Sequence, residues 1–360
     1  MNLKNKEKLE YVSIGALFKT VILLIAMLLS ACVLYAQPVY RFTVKIGIDK
    51  ETADSLGSYG EVSKRVVKMF QTINAAFNNE ALGITGYYDF VPDMDSLYIY
   101  EGSSGVERKP HPHHDYLVIM DGFRNFPDEG HGGWFGSHHQ TIGHDRGHVP
   151  GKISDPFDEQ ATDGIIHEFG HARGLIDLYA AAVDPSRNPI NGMRFQPVTC
   201  IMNYPYGVRH WSKYAVNILN LTKDKIVNVD EVIANLLPQK INIVVKDWHD
   251  KSVSGADVRV YPVVWYSYSV GSEPVWTGKT SDDGIYTFPD IPFIRQRAYG
   301  FKYCNLLVEV AYGDRKSYGW MPLYLVQNAF FDGKESFELE IILKEGHTLF
   351  EDDLSVRVKK

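Results

Sequence analysis

The chain has 360 residues, with 37 Lys and Arg against 44 Asp and Glu and a formal net charge of −7. That balance argues against nucleic acid as a partner, which calls for a basic face, while the length suffices for two domains. The three cysteines exclude a disulfide-framed scaffold: Cys32 lies in the N-terminal segment, and Cys200 and Cys304 are expected to be buried thiols.

At the start of the chain, Lys4, Lys6, Lys8 and Lys19 precede an apolar run from Val21 to Tyr35. A charged segment followed by a short apolar one is the pattern of an export signal, here residues 1–36. Two processing points compete. Leu29-Ser30-Ala31-Cys32 is similar to a bacterial lipobox, which would leave a lipid-bearing Cys32; cleavage after Ala36 would free a chain beginning at Gln37. The apolar Val33, Leu34 and Tyr35 favour the second. Either way the expectation is an exported protein, secreted or at the cell surface, that meets a membrane only through an N-terminal lipid or a retained signal anchor. No later run is long and apolar enough to cross a bilayer.

Tyr40 to Ile48 alternates as a strand does, and Glu61 to Phe77 carries Val62, Val66, Met69, Phe70, Ile73 and Phe77 at helical spacing. Tyr116 to Met120 reads as a short buried strand. His111, His113, His114, His131, His138, His139, His144 and His148 then crowd around Asp121, Asp128 and Asp145. These are donors for an additional structural Zn²⁺ or Ca²⁺, although they match no ligand spacing and loop histidines of this kind are ordinarily solvated.

The densest chemistry follows. His167-Glu168-Phe169-Gly170-His171-Ala172-Arg173-Gly174-Leu175-Ile176-Asp177 reads H-E-x-x-H-x-x-G-x-x-D. On a helix, His167 and His171 stand one above the other and can hold one Zn²⁺, with Glu168 placed beside it as a base. Gly174 can end the helix with a positive φ, and the returning chain can offer Asp177 as third ligand, with Asp184 as rival. The helix is expected to start at Asp155 as N-cap with Pro156 in its first turn. Phe157, Ala161, Ile165, Phe169 and Ala172 form the stripe that faces the core. Gly164 and Gly170, unfavourable inside a helix, imply close packing there. Cys200-Ile201-Met202-Asn203-Tyr204 comes next, and a further helix is predicted near Ser212 to Leu221.

Pro238-Gln239 marks a change of texture. Short strand-like runs take over at Ile241–Val245, Val258–Tyr261, Ile285–Phe288, Leu306–Tyr312 and Phe337–Leu343, divided by turn residues such as Asp282-Asp283-Gly284.

The long motif with its downstream Met resembles the metzincin clan of zinc peptidases. The resemblance implies an α+β metzincin-like zinc peptidase domain over residues 37–237, with His167, His171 and Asp177 on one Zn²⁺, Glu168 as general base, Met202 in the Met-turn and Tyr204 approaching the metal. The segment of Val245 to Tyr286 with Ser254-Gly255-Ala256 and Thr280-Ser281-Asp282-Asp283-Gly284 resembles carboxypeptidase-regulatory-like modules. That implies an all-β domain, an immunoglobulin- or transthyretin-like sandwich, over 238–345, ahead of a tail of 346–360. The expected function is a zinc-dependent endopeptidase acting on protein or peptide substrate. The alternatives are a surface binding protein with a relic metal site and a zinc hydrolase of a non-peptide amide. Because every expected ligand lies in 37–237, that part is expected to carry the chemistry by itself.

Overall fold

The structure is a computed structural model that describes residues 38–343 apart from 79–82, 96, 102–112, 122–132, 136–140, 146–154, 204–208, 228–231, 233–234, 265 and 294–302. Residues 1–36, expected as an export segment, the tail of 346–360, Tyr204 and most of the His-rich stretch lie outside these. The described chain is mixed α/β, with three sheets and helices against them.

β1 (Val39–Asp49) buries Phe42, Val44, Ile46 and Ile48 on one side of its pleat. It pairs in parallel with β2 (Tyr87–Pro92), β3 (Tyr98–Tyr100) and β4 (Tyr116–Asp121). The sheet continues through β6 (Thr141–Asp145), parallel to β4, and ends on β5 (Gly133–Phe135), which is antiparallel to β6. The strand order is β2-β1-β4-β6-β5. The crossover from β1 to its parallel partner β2 is made by two helices. α1 (Lys50–Leu56) is capped by the Asp49 carboxylate, and α2 (Tyr59–Phe77) by Ser58. α2 buries the stripe expected from sequence, Val62, Val66, Met69, Phe70, Ile73 and Phe77.

α3 (Glu159–Ala172) carries the motif. It begins later than the sequence implied. Asp158, not Asp155, accepts from the Ala161 amide at the N-cap, while Asp155 takes the Phe157 amide in the preceding turn. Two Asp-led starts lay three residues apart, and the turn containing Pro156 uses the first. The stripe is otherwise as expected: Ala161, Ile165, Phe169 and Ala172 are fully buried. Phe169 meets Phe90 at 4.4 Å, Tyr116 at 5.5 Å and Phe70 at 6.2 Å between ring centroids. This aromatic bed fixes the height of the helix over the sheet. α4 (Lys213–Thr222) follows, capped by Ser212.

After Pro238 the chain is rich in strands. β7 (Lys240–Asp247) lies between β10 (Ile285–Thr287), antiparallel to it, and β13 (Ser336–Leu343), parallel to it. The other sheet runs β12-β11-β8-β9, formed by β8 (Asp257–Val263), β9 (Trp276–Lys279), β11 (Asn305–Tyr312) and β12 (Arg315–Pro322), all antiparallel. The two sheets touch where a Cβ on Gly319 of β12 would lie 3.1 Å from Ile341 of β13.

The expectation of an all-β second region is corrected by α5 (Leu323–Phe331). Its sequence, Leu-Tyr-Leu-Val-Gln-Asn-Ala-Phe-Phe, is apolar around most of its circumference, so it shows no clear helical period. It lies between the two regions, against α4, with the Tyr214 and Tyr324 rings 6.3 Å apart. Phe195 and Trp320 meet at 5.4 Å, and Lys213 pairs with Asp332 at 2.7 Å. Buried apolar residues from Phe42 to Leu343 form one continuous cluster across Pro238. Cys200 and Cys304 are both free and buried, as expected. No helix among the described residues is long and apolar enough to cross a membrane.

Candidate metal centre

His167 and His171 project from one face of α3, and the chain after it folds back to bring Asp177 between them. The helix closes at Arg173, whose amide donates to the Phe169 and Gly170 carbonyls, and Gly174 turns the chain at φ +91°. A side chain at 174 would be strained by that φ and would meet Val232 at 2.9 Å. Asp177 Oδ1 then lies 3.0 Å from His167 Nε2 and 3.1 Å from His171 Nε2. The three donor atoms fall within 4.8 Å of one another, and they are the one such group among the described residues. Donors around a tetrahedral zinc, each about 2.0–2.1 Å from it, sit roughly 3.3 Å apart, close to the two separations from Asp177.

The imidazoles are oriented for that role. His167 Nδ1 lies 2.9 Å from the Ile201 carbonyl and His171 Nδ1 lies 2.8 Å from the Leu175 carbonyl. A carbonyl only accepts, so each Nδ1 carries a proton and donates it. The neutral form of each ring therefore presents the lone pair of Nε2 towards Asp177, which is how ligating histidines are held by their outer partners. His167 is 2% exposed and Asp177 6% exposed, so charge gathered there is poorly screened. Burial works against a charged His171, but the Asp177 carboxylate, through its charge and its hydrogen bond, more than reverses this and raises the pKa to about 9. Burial would raise Asp177; the His171 charge and hydrogen bonds from both rings instead hold it well below the usual carboxylate range. Glu168, next along the helix, is pushed up by burial, with the two imidazoles opposing and Asp177 reinforcing the shift.

Met202 is fully buried beneath the helix. A Cβ on Gly170 would lie 2.5 Å from the Met202 sulfur, so the helix glycine is the notch that admits this side chain. The Met202 carbonyl accepts from the Leu178 amide, just after Asp177, while the neighbouring Ile201 carbonyl locks His167. One tight turn, closed by the Asn203 amide on the Cys200 carbonyl, thus supports both the first and the third donor. Arg209 anchors the far side of this turn to α3 through Asp163 at 2.6 Å. Arg173, fully buried, donates to the Tyr116 hydroxyl and the Lys225 carbonyl and lies 4.5 Å over the Phe42 ring, which fastens the end of the helix to the sheet and to the segment after α4.

The structure thus brings His167, Glu168, His171, Asp177 and Met202 together. Asp184, the rival ligand, stands exposed before a short 3₁₀ turn and outside the donor group. Tyr204 lies outside the described residues. For the additional metal, His111, His131, His138, His139, His148 and Asp128 lie outside them too; within them, His114 bonds Asp93 at 2.8 Å. Sequence reasoning missed Tyr179, whose ring lies parallel to His167 at 6.1 Å, and Tyr266, whose hydroxyl donates to Asp177 Oδ2. Tyr179 sits two residues past Asp177 and could have been suspected; Tyr266 is 89 positions away and carries no local signal.

No protein-family model matches the chain. No curated protein matches it either.

Proposed function

We propose that the chain is an exported zinc-dependent endopeptidase, built as a metzincin-like α+β domain with a β-sandwich on its C-terminal side. The observation that carries this reading is the convergence of His167 Nε2, His171 Nε2 and Asp177 Oδ1 on one point, with both Nδ1 atoms committed to backbone carbonyls. Two imidazoles and one carboxylate are the donor set of a catalytic zinc that keeps a position open for water. Zinc bound there supplies Lewis acidity, which makes water a nucleophile near neutral pH.

The chain's own residues do the rest. His167 and His171 hold the centre by their Nε2 atoms. Glu168 takes a proton from the attacking water; the water oxygen bonds the carbonyl carbon, the C–N bond breaks, and Glu168 returns the proton to the leaving amine. Its raised pKa suits both halves of that exchange, because a base nearer neutrality also makes a usable acid. The edge strand β5, next to α3 and antiparallel to β6, supports peptide as substrate, since an open sheet edge can pair with an extended chain. The Tyr204 hydroxyl is proposed to donate to the developing oxyanion. The charged and apolar pattern of 1–36 supports export.

Digestion of a peptide library by the purified protein, with and without chelator, tests this. The expected result is cleavage that stops on zinc removal and returns when zinc is restored. Glu168→Ala should keep zinc and fold yet lose at least about a hundredfold in turnover. Near-normal turnover in that variant would sink the mechanism. Zinc binding without peptide cleavage would instead favour a non-peptide amide or a surface binding role.

A further inference from the structure

We infer that Tyr266, from the strand-rich region, is a positioning residue of the metal centre, so that the centre is built jointly by both regions rather than by residues 37–237 alone. The inference rests on the zinc reading above and extends it to a residue that the motif does not contain. The Tyr266 hydroxyl donates to Asp177 Oδ2, the carboxylate oxygen turned away from the two imidazoles, whereas Oδ1 faces both. A phenol fixed on Oδ2 leaves Oδ1 as the single ligand atom and sets its direction. It also draws electron density out of the carboxylate, so the anionic ligand offsets less of the metal's charge. A site with Asp where a neutral His could stand gains most from such a partner.

Packing does not explain why Tyr266 is there. The residue is 45% exposed, so the ring fills no core. Its backbone has φ +58° and that of Tyr268 has φ +54°, left-handed conformations that are unfavourable for bulky side chains and persist only where the surroundings enforce them. Besides bonds within the loop itself, several contacts lead back to the segment that carries Asp177. The Tyr268 carbonyl accepts from the Asp184 amide at 3.1 Å, the Ser267 carbonyl from Arg187 at 3.2 Å, and the Val270 amide donates to the Arg187 carbonyl at 3.0 Å. From β11 and the residue before it, Asn305 donates to the Ala181 carbonyl at 3.2 Å and the Cys304 thiol to the Ala180 carbonyl at 3.1 Å. The β8–β9 loop and the start of β11 therefore clasp residues 180–187 while Tyr266 reaches past them to the carboxylate. Its ring also lies 5.8 Å from Tyr179, which covers His167.

Tyr266→Phe in the full chain tests this, because it removes the hydroxyl and keeps the ring. Zinc affinity is read by competition with a chromophoric chelator, and ligand geometry by the visible absorption of the Co²⁺-substituted protein. The expected result is zinc binding weakened by about tenfold to a hundredfold, the range for loss of an outer partner, with a changed Co²⁺ spectrum in a metal-free protein that still unfolds cooperatively. Wild-type affinity and spectrum in Tyr266→Phe would overturn the inference while leaving the zinc site standing. A wild-type protein that binds neither ion overturns the zinc reading itself and this inference with it.

Discussion

In the first region, the donors and the groups that orient them are close in sequence: His167, His171, Leu175 and Asp177 fall within eleven positions, and Ile201 and Met202 follow shortly after. In the second region the described residues gather no donor group, yet its Tyr266 reaches the same carboxylate across 89 positions. A helix and one tight turn are enough to gather donors, since four-residue spacing stacks side chains without help from elsewhere. The contact on the second carboxylate oxygen comes from the opposite side, from another layer of the fold. Nearby backbone carbonyls aim the two imidazoles, while the second oxygen of Asp177 takes its partner from across the fold.

Asp177 is where the two contributions meet, and its removal should have the largest effect. Asp177→Ala leaves two protein ligands and orphans Tyr266, and zinc affinity should fall by more than about a hundredfold, beyond the range for an outer partner alone. Metal analysis after dialysis against a weak chelator reads this directly. Asp177→Asn should also weaken binding, and Asp177→His should retain zinc. Full occupancy and activity in Asp177→Ala would break the comparison by removing the residue on which it turns.

A pH series sharpens it next. Zinc requires neutral His171, but in the metal-free protein that ring stays protonated to about pH 9. Zinc affinity should therefore rise about tenfold per pH unit between pH 7 and 9 and then level off. The metal-free protein should behave in the opposite sense. A pKa raised above the ordinary value of about 6.5 contributes stability that is fully present below 6.5 and lost as pH rises through about 9. Asp177, held low, contributes above its ordinary value of about 3.9 and loses that contribution as pH falls. Thermal unfolding with and without zinc, measured at pH 6 and pH 9, should show the zinc-induced gain widening with pH. A gain that does not change would mean the His171–Asp177 pair is not formed without metal.

The smallest effect tests the local half alone. Gly170→Ala puts a methyl group against the Met202 sulfur, where no Cβ fits without movement. Overpacking of this kind costs about 1–3 kcal/mol, offset by about 1 kcal/mol of helix propensity. Denaturant unfolding should show a net loss, and zinc affinity should change less than in Tyr266→Phe. A gain in stability would mean that Met202 moves freely and does not brace the helix.

Much of this was legible beforehand for identifiable reasons. The donors, the Gly174 turn, the α2 stripe and five of the later strands all rest on short-range periodicity or fixed offsets, which survive into the fold. The N-cap of α3 slipped by three residues because Asp155 and Asp158 are chemically equivalent caps and only the turn at Pro156 distinguishes them. β12 was missed because Arg315-Lys-Ser-Tyr-Gly carries no alternation, although the Gly313-Asp314 turn ahead of it, with Gly313 at φ +62°, is a hairpin signal. α5 was missed because an almost uniformly apolar nonapeptide has no period to read. Tyr266 could not be seen at all: its role depends on a clasp of backbone carbonyls, and every residue type has one.

The placement of β13 has a consequence in time. β7, the first strand of the second region, takes its parallel partner from residues 336–343, while β10 covers its other edge. Parallel pairing across so long a stretch of chain forms late, after the intervening segments have been made and collapsed. In chain order the motif helix precedes β8, β9 and β11, which frame Tyr266. A product halted anywhere short of residue 336 would hold its donors but leave an edge of β7 open.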